Sequence, residues 1–319
     1  MFHGDITPEI AQGLLELDKR IAAAGIPPSK LDETITLATW NVREFGRRPR
    51  LAASLHYIAE ILGQFDLIAV VEVRDNLADL EKVKEYLGPY WRVVFSDYVT
   101  DGGGNRERIA YLYDNRAVAF TGLAAEADSP RVKKGTEYVP TLTWWRAPYI
   151  ASFRAGNFDF ILLTAHIRWG DGETDRQPEL QMLADWVAQR IKEKYVEDKD
   201  ILVMGDFNIP SLDSPLYKAV TSQGLRMPQA LAGLHGTNLA KDKRYDQILH
   251  YSSTPEVTFT GKGGAMDFAD GGWEGLYPGS KMKPEDYTYQ ISDHLPLWIQ
   301  VCTDVQGQRL HQIINPGKD

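Results

Sequence analysis

Apolar residues along this chain fall into two alternating rhythms, short extended runs and longer stretches of helical spacing. Ile10, Leu14, Leu17 and Ile21 repeat at helical intervals over 7–24, with Thr7 placed to cap and Pro8 in the first turn. Gly25 and Pro27-Pro28 end that segment. Helices are likewise predicted near 50–63 (Leu51, Leu55, Ile58, Leu62), 77–87 (Leu77, Leu80, Val83, Leu87) and 176–195 (Leu180, Leu183, Val187, Ile191). Between them lie strand-like runs: Ile35–Thr39, Asp66–Glu72, 91–95, 108–113, 116–121, 148–154, Phe160–His166 and Ile201–Asn208. A last run follows Ser292 to Trp298. Three stretches, 97–107 with Gly102-Gly103-Gly104, 122–145 and 260–290, read as long loops. Strand, helix, strand recurs in both halves, a pattern that suits two sheets packed face to face with helices outside.

Five of these strands carry chemistry at one end. Ile201-Leu-Val-Met-Gly-Asp-Phe-Asn208 delivers Asp206 and Asn208, two apart and therefore pointing the same way on an extended strand. Gly205 lets the backbone bend or a neighbour approach where that polar pair begins. Asn41 follows the first strand, Glu72 closes the second, His166 closes the third, and Asp293-His294 opens the last. An acceptor-only carboxylate beside a donating amide suits a phosphate ester and an attacking water. Imidazoles accept or donate protons near neutral pH.

The ordered set Trp40-Asn41, Glu72, Arg108 with Tyr111, His166, Gly205-Asp206-Phe207-Asn208, Tyr245-Asp246 and Ser292-Asp293-His294 resembles the endonuclease/exonuclease/phosphatase superfamily, on its deoxyribonuclease I-like branch. The likeness runs over residues 34–302, nearly the whole chain. It implies an α+β fold, a four-layer αββα sandwich of two packed mixed β-sheets flanked by helices. Residues 1–30 are expected to form an N-terminal helical extension, 31–303 the catalytic domain, and 304–319 a tail.

The resemblance also implies roles. Glu72 would be the first metal ligand, helped by Asn41 and Asp293, for Mg2+ or a substituting Mn2+, hard ions that prefer oxygen donors. His294, oriented by Asp246, would activate or orient a water. His166 would stabilise the phosphate or protonate the leaving oxygen. Asp206 would position the nucleophile, Asn208 would donate to a phosphate oxygen, and Arg108 would contact phosphate. The implied activity is metal-dependent phosphodiester hydrolysis, with DNA as the expected partner. The alternative is a phosphatase or phosphodiesterase acting on a smaller phosphate ester or phospholipid.

Branch signatures narrow the choice. Abasic-site endonucleases of the superfamily carry a tyrosine and a Pro-Asn pair where this chain has Thr164-Ala-His166. Inositol polyphosphate phosphatases carry Trp-Cys-Asp-Arg where it has Arg244-Tyr-Asp-Gln247. Sphingomyelinases are usually exported or membrane-linked. The turn after Asn41 holds Arg43, Arg47, Arg48 and Arg50 against Glu44 alone, and four guanidiniums at a cleft edge would grip backbone phosphates.

Bulk properties change this picture little. Hydrophobic residues at 43% and charged residues at 25% are ordinary for a soluble globular enzyme. A formal net charge of −9 and a pI near 5.4 argue against a general polyanion coat, though bound cations offset an acidic active site. Cys302 is the single cysteine, so no intrachain disulfide forms, and no zinc spacing or phosphate-cradling lysine loop occurs. No apolar stretch approaches the roughly 20 residues that span a bilayer. Residues 1–9 have neither a basic leader nor an apolar signal core, so a cytoplasmic location without membrane contact is expected.

Overall fold

The computed structural model describes residues 1–98, 105–170, 172–251 and 258–314. Two six-stranded sheets stack face to face. The first contains β1 (Thr34–Phe45), β2 (Leu67–Val73), β3 (Trp91–Phe95), β4 (Arg108–Asp114), β13 (Phe259–Ala265) and β14 (Leu297–Cys302), in the order β13-β14-β1-β2-β4-β3. The second contains β5 (Ala119–Glu126), β8 (Tyr149–Ala155), β9 (Phe158–His166), β10 (Ile201–Asp206), β11 (Leu225–Arg226) and β12 (Asp246–Tyr251), in the order β11-β12-β10-β9-β8-β5. Helices α1 (Pro8–Ala23), α2 (Ala52–Leu62) and α3 (Ala78–Leu87) cover the first sheet, while α4 (Glu173–Lys192) and α5 (Pro215–Thr221) cover the second. The four-layer αββα sandwich expected from the sequence is the observed fold.

Strand periodicity explains the layering. In β10, Leu202 and Met204 face the core between the sheets, whereas Ile201 and Val203 pack outward under α4. In β2, Leu67, Ala69 and Val71 face inward while Ile68, Val70 and Val73 meet the helices. Strands buried on both faces must be apolar throughout, which is why these runs lack alternation. The pair β1–β2 and the pair β9–β10 run parallel, flanked by antiparallel neighbours. Each sheet therefore has a parallel centre whose carboxyl ends open onto the same edge, the usual place for a ligand crevice.

Several elements differ from the sequence reading. The stretch 122–145 is not one loop: it holds the end of β5 and a small hairpin, β6 (Arg131–Lys134) with β7 (Glu137–Pro140). That hairpin is largely exposed, so it carries no buried face to make it legible. The stretch 260–290 holds β13 and the helix α6 (Pro284–Gln290). β13 reads Phe-Thr-Gly-Lys-Gly-Gly-Ala, without apolar alternation, and exists because β14 supplies its hydrogen bonds. β1 continues to Phe45 rather than ending at Thr39, and α7 (Gln306–Ile314) occupies part of the expected tail. The predicted loop at Gly102-Gly103-Gly104 lies outside the described residues. No helix among the described residues is long and apolar enough to cross a membrane.

Gly205 is the tightest point in the second sheet. Its φ is +139°, and a Cβ there would meet the Ala165 carbonyl oxygen of the parallel neighbour at 2.0 Å. Gly205→Ala must therefore push β9 from β10 as well as strain the backbone, a loss on the order of 3 kcal/mol. Urea denaturation should show a lower midpoint with an unchanged slope. A midpoint equal to that of the wild type would show that the two strands can separate freely there.

Candidate active site

Sheet register assembles one half of the site. Asp206 at the end of β10 pairs with His166 of parallel β9 on one side and Asp246 of antiparallel β12 on the other. In the facing sheet, Asn41 of β1 pairs with Val71 of β2, and Glu72 follows at once. The 292–294 loop is pinned to β1: Trp40 Nε1 donates to the His294 carbonyl at 2.7 Å, Ser292 Oγ donates to the Asn41 carbonyl, and the His294 N–H donates to Ser292 Oγ at 3.0 Å. A cleft of about 480 Å³ results, lined by residues from both sheets, among them Asn41, Glu72, His166, Asp206, Asn208 and His294.

Two histidine–carboxylate dyads converge in it. His294 Nδ1 lies 2.8 Å from Asp246 Oδ2, and His166 Nδ1 lies 2.7 Å from Glu107 Oε2. A carboxylate behind Nδ1 fixes the tautomer and turns Nε2 toward the cleft. Both Nε2 atoms face the same oxygen, Asp206 Oδ2, at 3.7 Å from His166 and 3.8 Å from His294. Asn41 Nδ2 also donates to that oxygen at 3.0 Å and to Glu72 Oε1 at 2.9 Å, so one amide ties the two sheets together. The Asn208 N–H donates to Asp206 Oδ1 at 2.9 Å, and Asn208 Nδ2 donates to the Ile167 carbonyl at 2.8 Å.

The electrostatics follow from these neighbours. Burial alone would lower the His294 imidazole, but Asp246 and Asp206, with Asp293, raise it to about 10. Burial and Arg146 oppose protonation of His166, yet Glu107 and Asp206 raise it above the usual histidine value. Glu107 would be raised by burial, but His166, Arg146 and Arg74 hold it down to about 2. The three carboxylates thus favour the protonated ring. The water-activating role expected for it requires a neutral ring, which a cation bound beside it would favour by opposing the added proton.

The donors present fit a divalent metal. Asn41 Oδ1 is buried without a hydrogen-bond partner, and it lies on the residue whose amide nitrogen already serves Glu72. An unpaired buried carbonyl beside a carboxylate is what a hard cation takes. Asp293 contributes a partly exposed carboxylate 3.5 Å from Arg43. Asp206, Asp246 and His294, read from the sequence as catalytic residues, form a second set that could hold a metal ion, with ligand atoms within 4.8 Å of one another.

Three cleft residues other than glycine sit at positive φ: Glu44 (46°), Glu72 (62°) and Asn208 (52°). Such backbone costs on the order of 1–3 kcal/mol each and persists only where surrounding contacts hold it. Here the Glu44 N–H donates to Glu72 Oε2 at 2.7 Å, and the Asn208 hydrogen bonds do the same work on the other side.

Not every expected residue reaches the site. Arg108 points away: its guanidinium bonds the Ser96 carbonyl at 3.1 Å and Asp97 at 2.9 Å, and it does not line the cleft. Its neighbour Glu107 is there instead. Parity along β4 explains the swap, since Glu107 shares the inward face of Ile109 and Tyr111, while Arg108 shares the outward face of Ala110 and Leu112. The alternation was readable in the sequence, but which apolar face turns toward the second sheet was not. Arg74 and Arg146, also absent from the sequence reading, flank Glu107 at 3.5 and 3.1 Å.

The basic turn also divides. Arg50 is buried against Asp79 at 3.5 Å, and Arg47 pairs with Glu44. Arg43 lines the cleft, with its guanidinium 3.8 Å from the Tyr289 ring centre and 2.9 Å from the Tyr289 hydroxyl. Arg48 is exposed, 4.3 Å from the same ring centre.

The Endonuclease/Exonuclease/phosphatase family model matches residues 38–294. A deoxyribonuclease of Thioalkalivibrio sp. (strain K90mix) is 31% identical over 198 residues, covering 57% of this chain and 48% of that protein. Deoxyribonuclease-1 of Bos taurus is 25% identical over 196 residues, covering 59% of this chain and 64% of its own length. The chain thus spans about half to two thirds of these relatives. A solved endonuclease/exonuclease/phosphatase family protein from Bacteroides thetaiotaomicron shares the fold at a TM-score of 0.57 and 19% identity, covering 85% of this chain and 98% of that one. The family match over most of the length meets the same strand-end residues that the sheets gather, and the chain belongs to the endonuclease/exonuclease/phosphatase family.

Proposed function

We propose that this protein is a divalent-cation-dependent phosphodiesterase that hydrolyses DNA. The observation that carries the reading is the convergence of His166 Nε2 and His294 Nε2 on Asp206 Oδ2, beside the Asn41–Glu72 pair. A phosphodiester resists water because its charge repels nucleophiles, so catalysis must neutralise that charge, place a water and protonate the leaving oxygen. Asp206 accepts a hydrogen bond from the water, aims its oxygen at phosphorus and takes its proton as the bond forms. As the new P–O bond forms, the opposite one breaks, and an imidazolium gives its proton to the departing oxygen. The second imidazolium and Asn208 donate to the remaining phosphate oxygens. Glu72, Asn41 and Asp293 would hold a divalent cation, which would supply further positive charge to the phosphate. Asp246 and Glu107 act through their histidines as positioning residues. The deoxyribonucleases among the relatives support DNA as the substrate.

Plasmid nicking with magnesium or manganese should appear without delay and stop in excess chelator, leaving 3′-hydroxyl and 5′-phosphate ends on end-labelled strands. Partners outside the coordination shell already change metal affinity about 10- to 100-fold, so Glu72→Gln should raise the magnesium needed for half-activity by at least about tenfold. Circular dichroism should report an intact fold. Release of phosphate from small monoesters with no DNA cleavage would replace this reading with a phosphatase.

His166→Ala and His294→Ala should each lower turnover by about 10² to 10⁴ at saturating metal. The double variant should lose less than the product of the two, because both rings serve one transition state. Asp246→Asn and Glu107→Gln should give milder losses. Normal turnover in either alanine variant would remove that ring from the chemistry.

Arg48, exposed and sharing the Tyr289 ring with the cleft-lining Arg43, is expected to touch a backbone phosphate. Its replacement by alanine should flatten the slope of log affinity against log salt by about 0.9 on duplex or about 0.7 on single-stranded DNA. Binding titrations across a salt series measure this, and an unchanged slope would place Arg48 off the substrate path.

A further inference from the structure

Trp169 is an outlier among the cleft residues. Its surroundings there are carboxylates, guanidiniums, amides and imidazoles, yet it is a large indole left 64% exposed at the rim. Exposed aromatic residues are common singly and need no explanation when loosely held. This one is held. The Arg176 guanidinium lies 5.2 Å from the indole ring centre, and the Tyr245 ring meets it edge-on at 5.5 Å and 90°.

Those supports tie the indole to the reacting centre. Arg176 is itself buried and donates from Nη1 to the Asn208 carbonyl at 2.6 Å. Tyr245 precedes Asp246, and its ring lies 5.8 Å from that of His294. The exposed indole is therefore fixed relative to Asn208 and His294, where the phosphate is bound and attacked. A rigid aromatic surface at fixed distance from a phosphate site suits a planar ring attached to that phosphate through a sugar. A hydrocarbon chain would find no apolar groove there, because the rest of the lining is polar.

Resting on the phosphodiesterase reading above, we infer that Trp169 is a stacking platform for a nucleobase next to the scissile phosphate, and that the base comes from an unpaired nucleotide. In duplex DNA both faces of each base are already stacked, so a base reaches an indole only when it is single-stranded or extruded. Stacking on an aromatic side chain tolerates every base, because each has a π-face. The site would then discriminate strand state without reading sequence.

The test compares cleavage of single-stranded oligothymidylate with that of the same backbone carrying abasic tetrahydrofuran residues. On oligothymidylate, Trp169→Ala should raise KM about tenfold, the size of loss that one base–aromatic stack carries, with little change in kcat. Trp169→Phe should recover most of that loss. On the abasic backbone wild type and Trp169→Ala should have the same KM. Unchanged KM on oligothymidylate, or an equal rise on both substrates, would overturn the platform while leaving the nuclease reading in place. If wild-type protein nicked plasmid but cleaved neither oligomer, the platform would fall and the nuclease reading would stand; failure on plasmid as well would remove both.

Discussion

The carboxylate of Asp206 is buried, and a buried charge is tolerated only when partners compensate it. Its oxygens are met by the Asn208 N–H, by Asn41 Nδ2 and, just beyond hydrogen-bonding distance, by both cleft imidazoles. No single element could supply that set. Asn208 comes from the same strand's turn, Asn41 from the facing sheet, His166 from the parallel neighbour, and His294 from a loop at the far end of the chain. The two sheets must therefore stack in one register for this charge to be satisfied. Catalytic potential and packing are the same requirement at this position.

The two halves solve the problem of orienting an imidazole in the same way. Each histidine leans on a buried acid, Asp246 from an adjacent strand of its partner sheet or Glu107 from across the interface. Glu107 is further flanked by Arg74 and Arg146, which help hold it ionised, and it in turn favours the protonated form of His166. The consequence is a cleft whose carboxylates favour positive charge on the inward-facing rings although the protein as a whole is acidic. Net charge thus says little about what this cleft attracts, because the relevant charges sit within a few ångströms of the substrate rather than across the surface.

Strained backbone recurs in the same place. Glu44, Glu72 and Asn208 hold left-handed backbone, and each is fixed by a hydrogen bond into the polar cluster. Gly205 contributes the close approach of β9 and β10 that brings His166 alongside Asp206. The surrounding apolar layers, with Trp40, Tyr111, Phe153 and Phe160 fully buried, supply the packing that keeps these backbones from relaxing.

The sequence by itself determined the layered fold, because runs such as Ile201–Met204 and Leu67–Val71 are apolar on both faces and admit only buried central strands. It also placed the residues that gather in the cleft, since Asp206, Asn208, His166, Glu72 and Asp293-His294 stand where such runs stop. Elements without a buried face were not legible: β13 is glycine-rich, and the 131–140 hairpin is largely solvated, so neither carries the periodicity that marks a strand. Partner choice was decided only by the tertiary structure. Four arginines in one turn look equivalent along the chain, yet Asp79 buries one, Glu44 takes another, and Tyr289 gathers the remaining two. Arg108 and Glu107 are adjacent in sequence and opposite in space, and which of them meets His166 depends on the face β4 turns toward the second sheet. Local sequence sets what a residue can do, whereas long-range packing sets which charge it faces, because ion pairing falls off over a few ångströms and those neighbours come from the other end of the chain.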